Sequence, residues 1–413
     1  MLPYGRTEIS LDIEPFCSPE TITYDSTPGF SDPQERIRQS LQQPIGSPPL
    51  HEIASGRKNA VILISDISRL CPSYLFLPAL IGELNRGGLP DGRIRIVVAL
   101  GMHRKQTESE LAALVGEEVY RRVSVANHSA LSEDCVDLGR TRQGTPIEIN
   151  RTVAEADLLI ATGNIEPHRL AGVSGGAKAL MPGVASERSI QANHALSQRY
   201  RPQIGNPDNP IRRDLEDVLE KVPIHFLFNV IVNHRRELLD AVAGDPIAAH
   251  RRGVELARRR FLIPNDKRYD LTIVSPGGFP KDLQLYQAVK TLQNAAGFTK
   301  PGGAIILAAQ CAEAFGNGVF QHWVETIRDR RVIEQKLKER FVLGAHKISH
   351  ISELLDTYTV YLYSSMPASQ VELVGFRPVS DLTETVKALT QNGSAAISVA
   401  VMPYGALTFP LEP

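Results

Sequence analysis

The chain has 413 residues, of which 42% are hydrophobic and 22% are charged, and its formal net charge is −1. A chain of this length exceeds the usual size of one hydrophobic core and therefore predicts two domains. The near-neutral charge gives no support for a nucleic-acid partner, which would need a basic face. No apolar run approaches the length of a membrane span, and the N-terminal residues are polar, so we expect neither a membrane partner nor a signal peptide.

The cysteines give information about the compartment. The chain has four of them, without any CxxC pair, at Cys17, Cys71, Cys135 and Cys311. Their spacing predicts neither a zinc site nor a disulfide framework. Free thiols are typical of a reducing compartment, so the sequence favours a cytoplasmic protein.

Short apolar runs alternate with helical patterns along the chain. Such runs, bounded by glycine or polar turns, are typical of buried parallel strands. Strands are predicted at 60–65, 94–100, 156–162, 224–232, 269–275, 357–363 and 395–401, and helices at 73–86, 247–261 and 380–391. The alternation predicts an α/β fold of two lobes with mostly parallel sheets flanked by helices.

A run of Pro, Asn, Asp and Lys near residue 265 predicts the boundary between the lobes. We expect an N-terminal cofactor-binding domain at 1–263, a hinge at 264–268 and a C-terminal α/β domain at 269–402. The tail at 403–413 contains proline and glycine, which do not suit the centre of a sheet. It is therefore expected to return to the N-terminal domain.

Two strands of the first half end in polar turns. The strand at 60–65 leads into Asp66, Ile67, Ser68 and Arg69. An arginine in such a turn can bind a carboxylate or phosphate through two hydrogen bonds, or Asp66 can cap the next helix with Arg69 as its ion-pair partner. The strand at 94–100 ends before His103, which therefore lies where ligands bind in open α/β sheets.

The densest group of polar candidates lies between 163 and 194. It contains His168, Lys178, His194 and the glycine-rich run Ser174, Gly175 and Gly176. A glycine-rich turn before a helix presents backbone N–H groups that suit a phosphate. The run is not a P-loop, because one glycine and the hydroxyl residue after the lysine are missing, which argues against a nucleoside triphosphatase.

The second half contributes one polar helix. Tyr286, Gln287 and Lys290 follow the strand at 269–275 and are spaced to share one helical face. Periodicity alone predicts only that this face is polar.

These motifs together resemble the nickel-dependent lactate racemase family. The residues that carry the resemblance are EPH at 166–168, AGVSGGAK at 171–178, MPG at 181–183 and NH at 193–194. In this family the lysine is joined through a thioamide to a nickel-pincer pyridinium mononucleotide. The resemblance therefore implies a cofactor attached to Lys178, nickel bound by His194, and His103 and His168 as catalytic bases.

The resemblance also implies further binding residues. It assigns the residues from Asp66 to Arg69, together with Ser174, Gly175 and Gly176, to the cofactor, and Arg69, Tyr286, Gln287 and Lys290 to the substrate. Two positions depart from the family pattern. Ala177 stands where an arginine is expected, and Arg169 stands where the lactate enzyme has an aromatic residue.

The family chemistry implies a racemase or epimerase that inverts carbon 2 of a 2-hydroxy acid. Proton abstraction from that carbon would place a carbanion beside a carboxylate, whereas hydride transfer to the cofactor avoids this charge repulsion. The hydroxyl group must lose its proton as hydride leaves, so a neutral imidazole is needed on each face of the substrate. We expect the site in a cleft between the lobes, and the implied partners are the substrate and the enzymes that make the cofactor.

Two other functions remain compatible with these residues. The loop at 174–178 would also suit a nucleotide- or phosphate-binding module without catalysis. Lys178 would suit an enzyme that forms a Schiff base with a carbonyl substrate.

Overall fold

The computed structural model describes residues 1–391 and 396–411. Residues 392–395 and 412–413 lie outside the described residues, and with them the first residue of the strand predicted at 395–401 and the end of the predicted tail. The chain divides into two compact units, one formed by Met1–Asp25 with Arg260–Pro413 and the other by Ser26–Arg259. The first 25 residues thus group with the C-terminal part of the chain, which differs from the expected division at 1–263.

The strands are short, and most are four to seven residues long. They are β1 (Leu2–Tyr4), β2 (Thr7–Ile9), β3 (Glu20–Thr21), β4 (Ala60–Ser65), β5 (Ile94–Ala99), β6 (Ser124–Asn127), β7 (Cys135–Arg140), β8 (Pro146–Asn150), β9 (Leu158–Asn164), β10 (Pro167–His168), β11 (Gly172–Val173), β12 (Phe226–Val232), β13 (Leu238–Gly244), β14 (Leu262–Ile263), β15 (Tyr269–Val274), β16 (Thr299–Ala308), β17 (Thr359–Tyr363), β18 (Arg377–Val379), β19 (Val399–Met402) and β20 (Phe409–Pro410).

The α-helices separate most of the parallel strands. They are α1 (Pro33–Gln42), α2 (Leu50–Ala54), α3 (Ser73–Arg86), α4 (Glu108–Val115), α5 (Glu117–Arg122), α6 (Arg151–Ala154), α7 (Glu187–Ala195), α8 (Pro210–Asp217), α9 (Ala248–Phe261), α10 (Leu285–Ala296), α11 (Gly318–Ile327), α12 (Arg330–Glu339), α13 (His346–Leu355), α14 (Ala368–Leu373) and α15 (Leu382–Gln391). None of the described helices is long and apolar enough to cross a membrane.

The unit Ser26–Arg259 contains a six-stranded sheet in the order β13-β12-β9-β4-β5-β6. Its strands run parallel except β13, which pairs antiparallel with β12. The central strand β4, AVILIS, has five fully buried residues because both faces of the sheet are covered. The neighbours β9, β4 and β5 end at the same edge, so the turns that follow them lie side by side.

The other unit contains a second six-stranded sheet, in the order β18-β17-β16-β15-β19-β3, and all its pairs are parallel. Its edge strand β3 comes from the first 25 residues and pairs with β19, which explains why this segment groups with the C-terminal part. The C-terminal strand β20 pairs with β14 and stays in the same unit. The predicted α/β class with mostly parallel sheets is confirmed.

Candidate active site

The turn after β4 holds a buried carboxylate between a histidine and an arginine. Asp66 is 3% exposed, and its Oδ2 atom lies 3.1 Å from His103 Nδ1 and 3.8 Å from Arg69 Nε. Burial by itself raises the pKa of Asp66, but the neighbouring His103 and Arg69 outweigh it and hold this pKa well below its usual range. The ionised carboxylate accepts the Nδ1 proton of His103, so the lone pair of a neutral His103 lies on Nε2.

The hydrogen bonds of His168 favour the tautomer opposite to that of His103. It lies in the small hairpin formed by β10 and β11, and its Nδ1 atom accepts hydrogen bonds from the backbone N–H groups of Leu170 and Ala171 at 3.1 and 3.2 Å. A neutral His168 therefore carries its proton on Nε2. The strands that lead to His103 and His168 are separated by β4 alone, so the two strand ends are about 10 Å apart.

The glycine-rich run forms a tight turn just before Lys178 in the chain. Gly175 and Gly176 have φ angles of 76° and 60°, and a Cβ atom at Gly175 would lie 2.6 Å from Asn229 Oδ1. A side chain at either position would be strained and would meet buried atoms, which explains the two glycines. The segment Gly176–Ala179 that follows is a 3₁₀ turn, and not the start of the helix expected from the sequence.

The amine of Lys178 lies in an environment that disfavours its charge. Burial is the largest cause, and the guanidinium groups of Arg69 and Arg212 add to it, so the pKa of Lys178 is well below its usual value. The carboxylate of Glu166 opposes this effect only partly. A neutral lysine amine is a nucleophile, which is the property that covalent attachment of a cofactor requires.

His194 lies in the last turn of α7. Its Nδ1 atom donates a hydrogen bond to the carbonyl oxygen of Ile190 at 2.9 Å, so the lone pair of the neutral ring lies on Nε2. Among the described residues, no group of three or more His, Cys, Asp or Glu side chains is arranged to hold a metal ion.

The polar face predicted for the second half lies on α10. Lys290 Nζ donates a hydrogen bond to Gln287 Oε1 at 2.6 Å. Tyr286 lies beside them with its ring centroid 6.1 Å from that of Phe320, and burial raises the pKa of its hydroxyl group. The structure therefore brings Gln287 and Lys290 into direct contact, as their spacing predicted.

Several buried polar residues around the glycine-rich turn gave no signal in the sequence. Asn229 on β12 accepts a hydrogen bond from the N–H group of Gly176 at 2.9 Å. Arg212 on α8 and His250 on α9 bind carbonyl oxygens of the same turn. Arg212 and His250 each lie among other polar residues of their helices, and a pattern of hydrophobicity does not distinguish them from solvated ones.

Comparison with known proteins identifies the family. Residues 4–205 match the model of the lactate racemase N-terminal domain, and residues 265–408 match that of the lactate racemase C-terminal domain. The lactate racemase of Thermoanaerobacterium thermosaccharolyticum is 33% identical over 346 residues, which cover 82% of this chain and 80% of that protein. The lactate racemase of Lactiplantibacillus plantarum is 36% identical over 343 residues, which cover 78% and 80%.

Solved structures agree with this assignment. The lactate racemase apoprotein from Thermoanaerobacterium thermosaccharolyticum superposes with a TM-score of 0.90 at 29% identity, covering 100% of this chain and 99% of that one. A Thermotoga maritima protein shares the fold, with a TM-score of 0.73 at 20% identity, covering 93% and 100%. The matches to both domain models and to the curated enzymes show that this chain belongs to the lactate racemase family of isomerases.

Proposed function

We propose that this racemase inverts carbon 2 of a 2-hydroxy acid by reversible hydride transfer, with nickel and a pyridinium mononucleotide attached to Lys178. Family membership supports the racemase activity. The observation that carries the finer proposal is the hydrogen bonding of His103 and His168, two imidazoles with opposite tautomers that follow strands separated by β4 alone. Such groups suit the transfer of a hydroxyl proton on either face of a substrate.

The residues of this chain fit the cofactor. Lys178 has an amine whose pKa is lowered, and His194 keeps Nε2 as the ligand nitrogen. Gly175 and Gly176 allow the tight turn that precedes Lys178, since a side chain at either position would meet buried protein atoms. When bound, the nucleotide would supply an electrophilic carbon and a nickel centre for hydride transfer.

His103 is arranged as a base for one enantiomer. Asp66 holds the proton on Nδ1, so His103 Nε2 can accept the hydroxyl proton of the substrate. His168 Nε2 carries a proton and can donate a hydrogen bond to the same substrate oxygen. To act as the base for the opposite enantiomer, His168 must move its proton to Nδ1 and release the N–H groups of Leu170 and Ala171.

The substrate carboxylate needs cationic partners. Arg69 presents a guanidinium group beside Asp66, and Lys290 with Gln287 presents an ammonium and an amide group. We assign these three residues to the carboxylate, since bidentate and charged hydrogen bonds orient it for reaction. Amides and esters of the same acids should therefore not react. Arg169 lies beside His168, and a hydroxylated or acidic substituent would suit it better than a methyl group.

The histidine roles are tested by separating the two half-reactions. His103→Asn and His168→Asn should both lose racemisation, since loss of one base costs about 10²–10⁴-fold in rate. In single turnover, each variant should form the 2-keto acid from one enantiomer, and the two variants should prefer opposite enantiomers. Racemisation at the parental rate by either variant would show that its histidine is structural.

The cofactor is tested by intact mass and metal analysis of protein co-expressed with the cofactor-making enzymes. Lys178→Ala should fold without the nucleotide mass, whereas His194→Ala should keep the organic adduct and lose most of the nickel. An unmodified parental chain would favour the phosphate-binding or Schiff-base alternatives. Inactivity of nickel-loaded protein on lactate, malate and sugar-derived 2-hydroxy acids, followed by chiral chromatography, would contradict the proposed substrate class.

A further inference from the structure

A buried arginine fixes two carbonyl groups of the glycine-rich turn. Arg212 is 0% exposed. Its Nη1 atom donates to the carbonyl oxygen of Val173 at 3.1 Å, and its Nη2 atom donates to that of Gly175 at 3.0 Å. Its Nε atom donates to Glu216 Oε1 at 2.9 Å, so the buried charge has a partner on the same helix. Burial still lowers the pKa of Arg212 to about 10, which leaves it charged at neutral pH.

A buried histidine fixes the carbonyl group between these two. His250 Nε2 donates to the carbonyl oxygen of Ser174 at 2.8 Å, and Arg212 Nη2 lies close to both ring nitrogens, 2.8 Å from Nε2 and 3.1 Å from Nδ1. Burial and the charge of Arg212 hold the pKa of His250 well below its usual value, so the ring is neutral. Three successive carbonyl groups of the turn therefore accept hydrogen bonds from Arg212 and His250, and both of these side chains are fully buried.

The same contacts extend to Lys178 through the backbone. The carbonyl oxygen of Gly175 accepts hydrogen bonds from both Arg212 Nη2 and the N–H group of Lys178, the latter at 3.3 Å. The N–H group of Gly176 is held by Asn229. The position of the Lys178 backbone thus depends directly on a carbonyl group that Arg212 binds.

Four titratable residues, each from a different part of the fold, interact electrostatically with the Lys178 amine. Arg69 lies after β4, Glu166 after β9, Arg212 on α8 and His250 on α9. The two guanidinium groups lower the pKa of the amine and the one carboxylate raises it, while burial keeps His250 neutral. Because Glu216 pairs with Arg251 as well as with Arg212, with three of these contacts at 2.9 Å, it compensates Arg212 only partly.

We propose that Arg212 and His250 are positioning residues that hold the Lys178 turn in the one conformation from which its amine reacts with the cofactor. This inference rests on the proposed attachment of the cofactor to Lys178. The proposed role differs from stabilisation of the fold alone, because residues that only stabilise the fold would not change the pH at which Lys178 becomes reactive.

The test is competitive labelling of full-length, cofactor-free protein with limiting acetic anhydride. The lone pair of an amine attacks one carbonyl carbon, acetate leaves, and the nitrogen loses a proton, so the rate follows the neutral fraction. Peptide mass spectrometry gives the rate for each lysine between pH 6 and pH 11, a range of about five units chosen to span the usual lysine pKa. Lys178 should become reactive at lower pH than the exposed Lys58 and Lys105. Coincident profiles would overturn the proposal.

Two variants should shift the Lys178 profile in opposite directions. Arg212→Met removes a positive charge and should move the profile upward by about one pH unit, a fall of about tenfold in rate at each pH below the midpoint of the parental profile. Glu216→Gln keeps the size of the side chain but removes the compensating charge, so the profile should move downward. If Arg212→Met does not fold, an upward or absent shift in Glu216→Gln overturns the proposal.

A matched control is Arg142→Met, which removes an exposed arginine that pairs with Glu220 in the same unit. It should leave the Lys178 profile unchanged. Because the labelling uses protein without nickel or nucleotide, ordinary Lys178 reactivity in a chain that racemises when loaded would reject this inference alone. Normal cofactor mass on Lys178→Ala would instead reject the proposed attachment.

Discussion

At the scale of single residues, one carboxylate decides what His103 can do. Asp66 Oδ1 accepts the N–H group of Ser68 at 2.8 Å, which leaves Oδ2 for His103 Nδ1 at 3.1 Å. Both oxygens are therefore committed, and the orientation of the carboxylate is fixed by the backbone. A substitution that keeps the shape of Asp66 but changes one of these oxygens should alter the tautomer of His103 without altering the fold.

Asp66→Asn makes that change. If the amide oxygen keeps the bond from Ser68, the amide nitrogen faces His103 Nδ1 and donates to it, which moves the imidazole proton to Nε2. Racemisation should then fall about 10²–10⁴-fold, the usual value of one general base, while the cofactor mass remains. Rates per loaded nickel test this, with Asp91→Asn, an exposed carboxylate paired with Arg122, as the control. An unchanged rate would exclude the tautomer role of Asp66.

Arg69→Ala tests the binding of the substrate carboxylate. Removal of one partner of a buried charged pair costs about 2–5 kcal/mol, so kcat/KM should fall by at least about thirtyfold. Arg69 also lowers the pKa of Lys178, so each rate must be expressed per attached cofactor. Arg122→Ala, which removes an exposed arginine, should keep the parental kcat/KM. A change confined to the amount of cofactor would assign Arg69 to attachment alone.

At the scale of elements, the N-terminal hairpin of β1 and β2 is tied to the loop after β15. Asp282 is 0% exposed, and its Oδ2 atom accepts the N–H groups of Gly5 at 2.6 Å and Gln310 at 3.2 Å. The N–H group of Phe279 donates to the carbonyl oxygen of Gly5 at 2.7 Å. Among the described residues, Asp282 Oδ1 has no hydrogen-bond partner. The contact thus contains a carboxylate whose charge is only partly compensated.

Burial raises the pKa of Asp282 above its usual value. The folded protein then binds this proton more tightly than the unfolded chain, so the contribution to stability is complete below about pH 4 and is lost as pH rises through the folded pKa. The stability of Asp282→Asn relative to the parent should therefore increase as the pH rises from 4 to 8, a range of about four units, because only the parent loses this contribution. Denaturant unfolding at both pH values measures it, and an equal difference at the two would contradict the prediction.

At the scale of the whole molecule, the two units differ in how the chain builds them. Ser26–Arg259 is one continuous stretch that contains its complete six-stranded sheet. The other unit needs two segments, because β3 and Gly5 come from the first 25 residues. This division is not the one expected from the sequence, and the predicted hinge at 264–268 stays a prediction.

The division predicts different behaviour of isolated fragments. Residues 26–259 should unfold cooperatively when expressed alone, since their sheet and its hydrogen bonds are contained in the fragment. Residues 260–413 should be less stable than the same fragment with residues 1–25 joined by a flexible linker. Circular dichroism melting of the three proteins tests this, and equal melting of the last two would show that the N-terminal segment contributes nothing to the unit.

The sequence by itself determined the local structure and the place of most proposed site residues. The strands β4, β5 and β15 are short apolar runs, and α3 begins and ends where its pattern predicts, because hydrophobic periodicity is a local property. The turns that carry Asp66 and His103 were found because parallel strands end at one edge of a sheet. The family motif around Lys178 is also contiguous.

Only the tertiary structure decided the histidine tautomers, the contacts that hold the turn before Lys178, and which segments of the chain form each unit. The partners concerned are far apart in the chain: His103 and Asp66 are separated by 37 positions, and Arg212 and Gly175 also by 37. His250 is 76 positions from Ser174, and Gly5 is 277 positions from Asp282. Such contacts form only when distant strands and helices pack. No local pattern of polarity separates a buried histidine that fixes a carbonyl group from one that faces water.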